Sequence, residues 1–234
     1  MKIHYLQHAP FEGLGYIETW IKENHHSLSH TYFFEHEFQL PKTDDLDLLI
    51  IMGGPMGVYD ENKYAWLKEE KIFIKKCIRE QKKILGVCLE AQLLANCLGS
   101  KISIAPHKEI GWYPVSPTIE CRKVNWFYEL FKNNPVVFHW HGDQFEIPKE
   151  SIHLITSEAN SNQTFLYGKN VIGLQFHLEV TKYVTELMLK NGESDLTHGK
   201  FVQNKKEIKS GLVNVKKCNR ILEEILENLF DVEL

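Results

Sequence analysis

The chain has 234 residues, enough for one large α/β domain that buries roughly 70% of its unfolded surface without a disulfide or metal staple. Its 27 Lys+Arg against 31 Asp+Glu give a net charge of −4, with both signs spread along the chain, so nucleic acid finds no basic footprint. Five cysteines, Cys77, Cys88, Cys97, Cys121 and Cys218, are odd in number and form no C-x-x-C pair, which argues against a disulfide framework or a zinc ribbon.

The first residues, Met1-Lys2-Ile3-His4-Tyr5-Leu6, are too short in apolar length for a signal peptide. No apolar run approaches the ~20 residues that span a bilayer. The chain reads as cytoplasmic, with no membrane partner.

Short apolar runs alternate with amphipathic stretches. Residues 1–7 read as a strand, 15–24 as a helix, and 31–38 and 46–52 as strands. The last of these is nearly all apolar, as in a strand covered on both faces of a parallel sheet. A helix follows over 64–81, where Trp66, Leu67, Ile72 and Ile74 alternate with lysines and glutamates. Then come a buried strand over 83–87 and a helix over 89–98, closed by Gly99.

Beyond Gly99 the runs shorten. Residues 110–115, 136–140, 151–157, 163–167 and 171–176 read as added antiparallel strands, and 180–190 as a helix. The order βαββαβα followed by hairpins predicts one α/β domain with an open, mostly parallel sheet, over residues 1–190. Residues 191–234 are expected to form a helical extension packed on the same domain. Leu222, Ile225, Leu226 and Leu229 recur at helical spacing and predict an amphipathic helix over 216–230.

Ile84-Leu85-Gly86-Val87-Cys88-Leu89-Glu90-Ala91-Gln92 places a cysteine where a buried strand turns directly into a helix. Such a nucleophile elbow lifts the thiol above the sheet. Backbone N–H groups at the helix start favour a thiolate, and the Leu89 N–H can point at an oxyanion. Cys77 and Cys97 lack this context and read as structural.

A second strand, Val171-Ile172-Gly173-Leu174-Gln175-Phe176-His177-Leu178-Glu179, ends in polar residues. Alternation puts His177 and Glu179 on one face, so the carboxylate can orient the ring. Thiol, imidazole and acid are the parts of a cysteine-hydrolase triad. Met52-Gly53-Gly54-Pro55-Met56-Gly57 follows another strand, and the Gly54 N–H is a candidate second oxyanion donor. A phosphate-binding loop would need a Gly-Lys-Ser/Thr that is missing here.

These three motifs, in this order, resemble the class I (triad) glutamine amidotransferases, and more narrowly the stand-alone branch similar to the amidotransferase domain of GMP synthase. The resemblance spans about residues 46–179. Lys108-Glu109-Ile110-Gly111-Trp112-Tyr113-Pro114-Val115 and His139-Trp140-His141-Gly142-Asp143-Gln144-Phe145 also resemble stretches of this branch. It implies a flavodoxin-like fold and hydrolysis of a glutamine γ-amide, with Cys88 attacking, His177 as acid and base, and Glu179 orienting His177. It further implies Gly54 and Leu89 as oxyanion donors and Gln92, Gly142 and Asp143 around the glutamine head group. No cofactor is implied. The expected partners are glutamine or a γ-glutamyl small molecule and a separate synthetase subunit that uses the ammonia.

Two positions depart from the family. Its His-Pro-Glu is His177-Leu178-Glu179 here, and its glycine two residues after the cysteine is Glu90. A glutamate there is expected to crowd the elbow and to oppose a thiolate at Cys88. Competing readings are a γ-glutamyl peptidase, which needs the same triad, and a catalytically impaired binding or regulatory protein, which Glu90 favours. A third is a metal-dependent hydrolase with His139, His141 and His177 as ligands, although no metal ligand is assigned.

Overall fold

A computed structural model describes residues 1–231; residues 232–234, the end of the expected C-terminal extension, lie outside the described residues. The chain runs β1 (Lys2–Gln7), α1 (Tyr16–Glu23), β2 (Ser27–Tyr32), β3 (Leu48–Ile51), α2 (Trp66–Arg79), β4 (Lys83–Val87) and α3 (Leu89–Cys97). It continues through β5 (Ile102–Pro117), α4 (Asn125–Phe131), β6 (Val136–Phe145), β7 (Ser151–Ser157), β8 (Thr164–Tyr167) and β9 (Val171–Leu174). Helices α5 (Lys182–Asn191), α6 (Lys205–Ser210) and α7 (Val215–Asp231) complete it.

The strands form one nine-stranded sheet in the order β2-β1-β3-β4-β9-β8-β7-β5-β6. The pairs from β2 to β9 are parallel and those from β9 to β6 antiparallel. This is the α/β architecture with added antiparallel strands that the sequence predicts. The apolar residues of β3 divide by parity: Leu48 and Ile50 join one core, Leu49 and Ile51 the other. A strand buried on both faces needs that continuous apolar run. Helices α1, α4 and α7 cover the first face, and α2 and α3 the second.

Helix α7 buries Cys218, Ile221, Leu222, Ile225, Leu226 and Leu229 in the core that holds Ile17 and Trp20 of α1. Leu222 is 1% exposed, so truncation to Ala is expected to cost about 2–5 kcal/mol. Among the described residues no helix is long and apolar enough to cross a membrane.

Three differences from the sequence reading have physical causes. Strand β2 lies at Ser27–Tyr32 rather than 31–38, because an edge strand pairing only with β1 carries an exposed polar face. The aromatic run that suggested 31–38 serves packing instead: Phe33 stacks on Trp66, with ring centroids 4.7 Å apart. Strand β5 is sixteen residues long, and its alternation is broken by a register shift between Ile104 and Glu109. Helices α4 and α6, of seven and six residues, are too short to show a period.

Candidate active site

Parallel neighbours β1, β3, β4 and β9 end on the same edge of the sheet, so the loops after them converge there. Open α/β sheets bind ligands at this carboxyl edge. Cys88 follows β4 directly and has φ 59° and ψ −113°, a conformation that non-glycine residues rarely adopt. Its N–H donates to Leu174 O (2.7 Å), which ties the elbow to β9. Gly86 makes the turn feasible: a Cβ there would stand 2.9 Å from the Glu90 carbonyl oxygen of α3. The Cys88 thiol donates to Trp140 O at 3.6 Å.

His177 and Glu179 lie just past β9. The His177 N–H donates to Phe138 O (2.7 Å), which clamps this segment against β6. His177 Nδ1 donates to Glu179 Oε1 at 2.6 Å, and both side chains are buried. Nε2 has no other partner within hydrogen-bond geometry. Burial alone would lower the imidazole pKa, but Glu179 and the neighbouring Cys88 outweigh it and hold the ring well above its ordinary range. The favoured arrangement is an imidazolium beside the sulfur.

Cys88 and His177 border one cavity of about 240 Å³. Its walls also carry Gly54 and Leu89, the two expected oxyanion donors, and Gln92, Gly142 and Asp143. Glu179 sits behind His177 rather than on the wall. A Cβ on Gly54 would collide with Met56 Sδ and stand 3.0 Å from His8 Cβ, so the loop needs glycine there. Gln92 Nε2 donates to Gln175 Oε1 (3.0 Å) and Asp143 O (3.3 Å), which fixes its amide. Asp143 is half-buried, and that burial raises its carboxyl pKa. Asn191 at the end of α5, with Gly192 and Asp195 just beyond it, adds to the rim, where Asp195 accepts from Trp140 Nε1 (3.3 Å).

Glu90 departs from the sequence expectation. Its carboxylate is 0% exposed and lies 3.6 Å from His8 Nδ1, in a buried group with Glu70. Burial and the Glu70 charge push its carboxyl well above the usual range, although His8 opposes them. A raised pKa favours the protonated carboxyl, which opposes a thiolate less than a carboxylate does.

His8 donates through Nδ1 to Met52 O (2.7 Å) and through Nε2 to Glu70 Oε1 (2.8 Å). Burial works against its charge, but Glu70 and Glu90 raise it to about 10, so it is an imidazolium. Its ring packs against both Phe33 and Trp66, with centroids 5.2 Å away in each case. Met52 immediately precedes Gly53-Gly54, so His8 braces the glycine loop. Glu12 borders the cavity, its pKa raised by burial against the pull of His177 and His8. The sequence reading singles out neither. The available signal is a polar residue just beyond an apolar strand on the carboxyl edge of a parallel sheet.

This site occurs on a chain with extensive relatives. The family model described as glutamine amidotransferase class-I matches residues 16–193. The glutamine amidotransferase-like protein YfeJ of Salmonella typhimurium is 27% identical over 235 residues, covering 98% of this chain and 97% of that one. A crystal structure of a glutamine amidotransferase from Thermotoga maritima is 30% identical, with a TM-score of 0.88 over 99% of this chain and 98% of that one. GMP synthase of Bacillus pumilus is 33% identical over 150 residues, 61% of this chain but only 26% of the enzyme. With three quarters of its length under the family model and the fold matched end to end, the chain belongs to the class-I glutamine amidotransferase family.

Proposed function

We infer that the protein hydrolyses the γ-amide of glutamine, or a γ-glutamyl amide, through a Cys88–His177–Glu179 triad and a γ-glutamyl thioester. The Cys88 thiolate attacks the amide carbon, and the N–H groups of Gly54 and Leu89 receive the oxyanion. His177, as imidazolium, protonates the leaving nitrogen, and ammonia or an amine departs. His177 then takes a proton from water, which attacks the thioester, breaks its C–S bond and releases glutamate and the Cys88 thiolate. Glu179 holds the ring in register throughout. The chemistry needs no cofactor.

The observation that carries this reading is the meeting of Cys88 and His177 on one cavity while His177 Nδ1 is held by Glu179 at 2.6 Å. At about 240 Å³ the cavity is smaller than the ~300–1,000 Å³ of drug-sized pockets, a size suited to one amino-acid side of a substrate. Gln92, Gly142 and Asp143 surround the head group in this reading. Because the chain spans about a quarter of GMP synthase, the released ammonia is assigned to a separate synthetase subunit.

The test is release of glutamate and ammonia from glutamine by the purified protein, run beside a γ-glutamyl dipeptide. Turnover of one of them, lost in Cys88→Ala, is expected. A folded wild type that turns over neither overturns the reading.

A further inference from the structure

Strands β5 and β6 pair so that Glu109 lies opposite His141, and Gly111 opposite His139. Alternation puts Glu109, His139 and His141 on one face of this pair. All three side chains are buried, at 1%, 0% and 6% exposure. Glu109 Oε2 lies 3.2 Å from His141 Nε2 and 3.5 Å from His139 Nδ1. One donor atom from each residue lies within 4.8 Å of the other two. A tetrahedral zinc ion with nitrogen and oxygen donors at 2.0–2.2 Å sets neighbouring donors about 3.3–3.5 Å apart.

Several ligating atoms of this cluster have no hydrogen-bond partner. His141 Nδ1 donates to Asp143 O at 3.0 Å, because a carbonyl oxygen only accepts. Its Nε2 lies 3.2 Å from Glu109 Oε2 without hydrogen-bond geometry. Both ring nitrogens of His139 and Glu109 Oε1 also have no hydrogen-bond partner.

The outer contacts are those of a ligand set. Gln163 Nε2 (2.8 Å), Ser157 Oγ (3.1 Å) and Asn160 Nδ2 (3.3 Å) donate to Glu109 Oε2 and fix its carboxylate. Metal-binding histidines commonly donate their second nitrogen to a carbonyl, as His141 does.

We propose that Glu109, His139 and His141 bind one divalent transition-metal ion, zinc foremost, with water from the adjoining cavity as fourth ligand. Such a His₂Glu set is a zinc donor combination. The ion clamps β6 and thereby the Trp140 carbonyl, which lies between the two histidines in sequence and accepts the Cys88 thiol. His177 stays outside the set, since Glu179 holds its Nδ1.

The test uses the full chain carrying Cys88→Ala, which removes the thiolate as a rival ligand. Titration with zinc against a competing chelator is expected to show one ion per chain and a rise in Tm. Cobalt(II) in its place is expected to give the visible absorption of a four-coordinate ion. Adding Glu109→Gln or His139→Ala should weaken binding by at least the ~10–100-fold that loss of an outer-shell contact produces. Circular dichroism of the metal-free proteins checks folding. If both added variants fail to fold, the Cys88→Ala protein still decides. No zinc uptake, no four-coordinate cobalt band, or binding unchanged in a folded Glu109→Gln variant overturns the proposal.

Discussion

His8 and Glu90 face each other across 3.6 Å in the interior, and burial raises the Glu90 carboxyl pKa while the surrounding glutamates raise that of His8. The position where relatives carry glycine has thus become part of the support beneath the glycine loop. Glu90 acts on His8, whose other contacts are Met52 and Glu70.

A stability measurement checks this protonation. Glu90 holds its proton in the folded protein above its ordinary value of 4.5, whereas the unfolded chain releases it there. The folded state then binds more protons, so this group makes stability fall as pH rises, by up to ~1.4 kcal/mol per pH unit. Glu90→Gln removes that dependence. The Tm of Glu90→Gln minus that of wild type should grow between about pH 5 and 8. A flat or falling difference would mean that Glu90 is ionised inside. His8→Ala leaves Glu70 buried without its counter-ion and should cost about 3–5 kcal/mol.

Thiol reactivity separates Cys88 from the other cysteines. Burial pushes Cys77, Cys97 and Cys218 up to about 12 and Cys121 up to about 11. A glutamine-mimicking electrophile such as a diazo-ketone analogue should therefore modify Cys88 alone near neutral pH. Peptide mass mapping reads the outcome; labelling spread over the buried thiols would count against an activated nucleophile.

The parallel half of the sheet was legible because strands such as β3 and β4 are buried on both faces and carry unbroken apolar runs. Cys88 and His177 stood out because Cys88 directly follows such a strand and His177 lies three residues beyond another. Strand β2 was hidden by its exposed residues, and β5 by the shift between Ile104 and Glu109. The cluster around Glu90 was out of reach for a different reason. His8, Glu70 and Glu90 are brought together by three separate elements, and a local pattern carries no trace of such a meeting. Sequence also shows a glutamate as a charge, whereas burial raises the Glu90 carboxyl pKa and favours its neutral form.

Backbone strain at Cys88 predicts a trade between activity and stability. At φ 59° and ψ −113° a Cβ is strained by about 1–3 kcal/mol, and glycine is not. Cys88→Gly and Cys88→Ala should both be inactive, with Cys88→Gly more stable by about that amount in urea melts. Equal midpoints would show that the elbow holds no strain.

The pH dependence of turnover tests the pairing of His177 with Glu179. The active form in this reading is a thiolate beside an imidazolium, so activity should fall on the acid side as the thiolate gains a proton. On the alkaline side it should fall as the imidazolium loses one. His177 resists that loss: burial favours the neutral ring, but Glu179 and Cys88 raise its pKa well above the ordinary 6.5. Glu179→Gln keeps an oxygen that can accept from Nδ1 but removes the charge, so the His177 pKa must drop. The alkaline limb of kcat/KM should then move to lower pH, with a loss of about 10²-fold at neutral pH. His177→Ala should cost nearly as much as Cys88→Ala, because members of a triad act as a unit. The same shift affects folding. A histidine raised in the folded state contributes stability that is complete below about 6.5 and lost as pH passes its folded value. Glu179→Gln should therefore lose stability relative to wild type chiefly below about pH 6.5, and the difference should close as pH rises through the folded value of His177. An alkaline limb that stays in place in Glu179→Gln would mean that Glu179 does not govern the proton on His177.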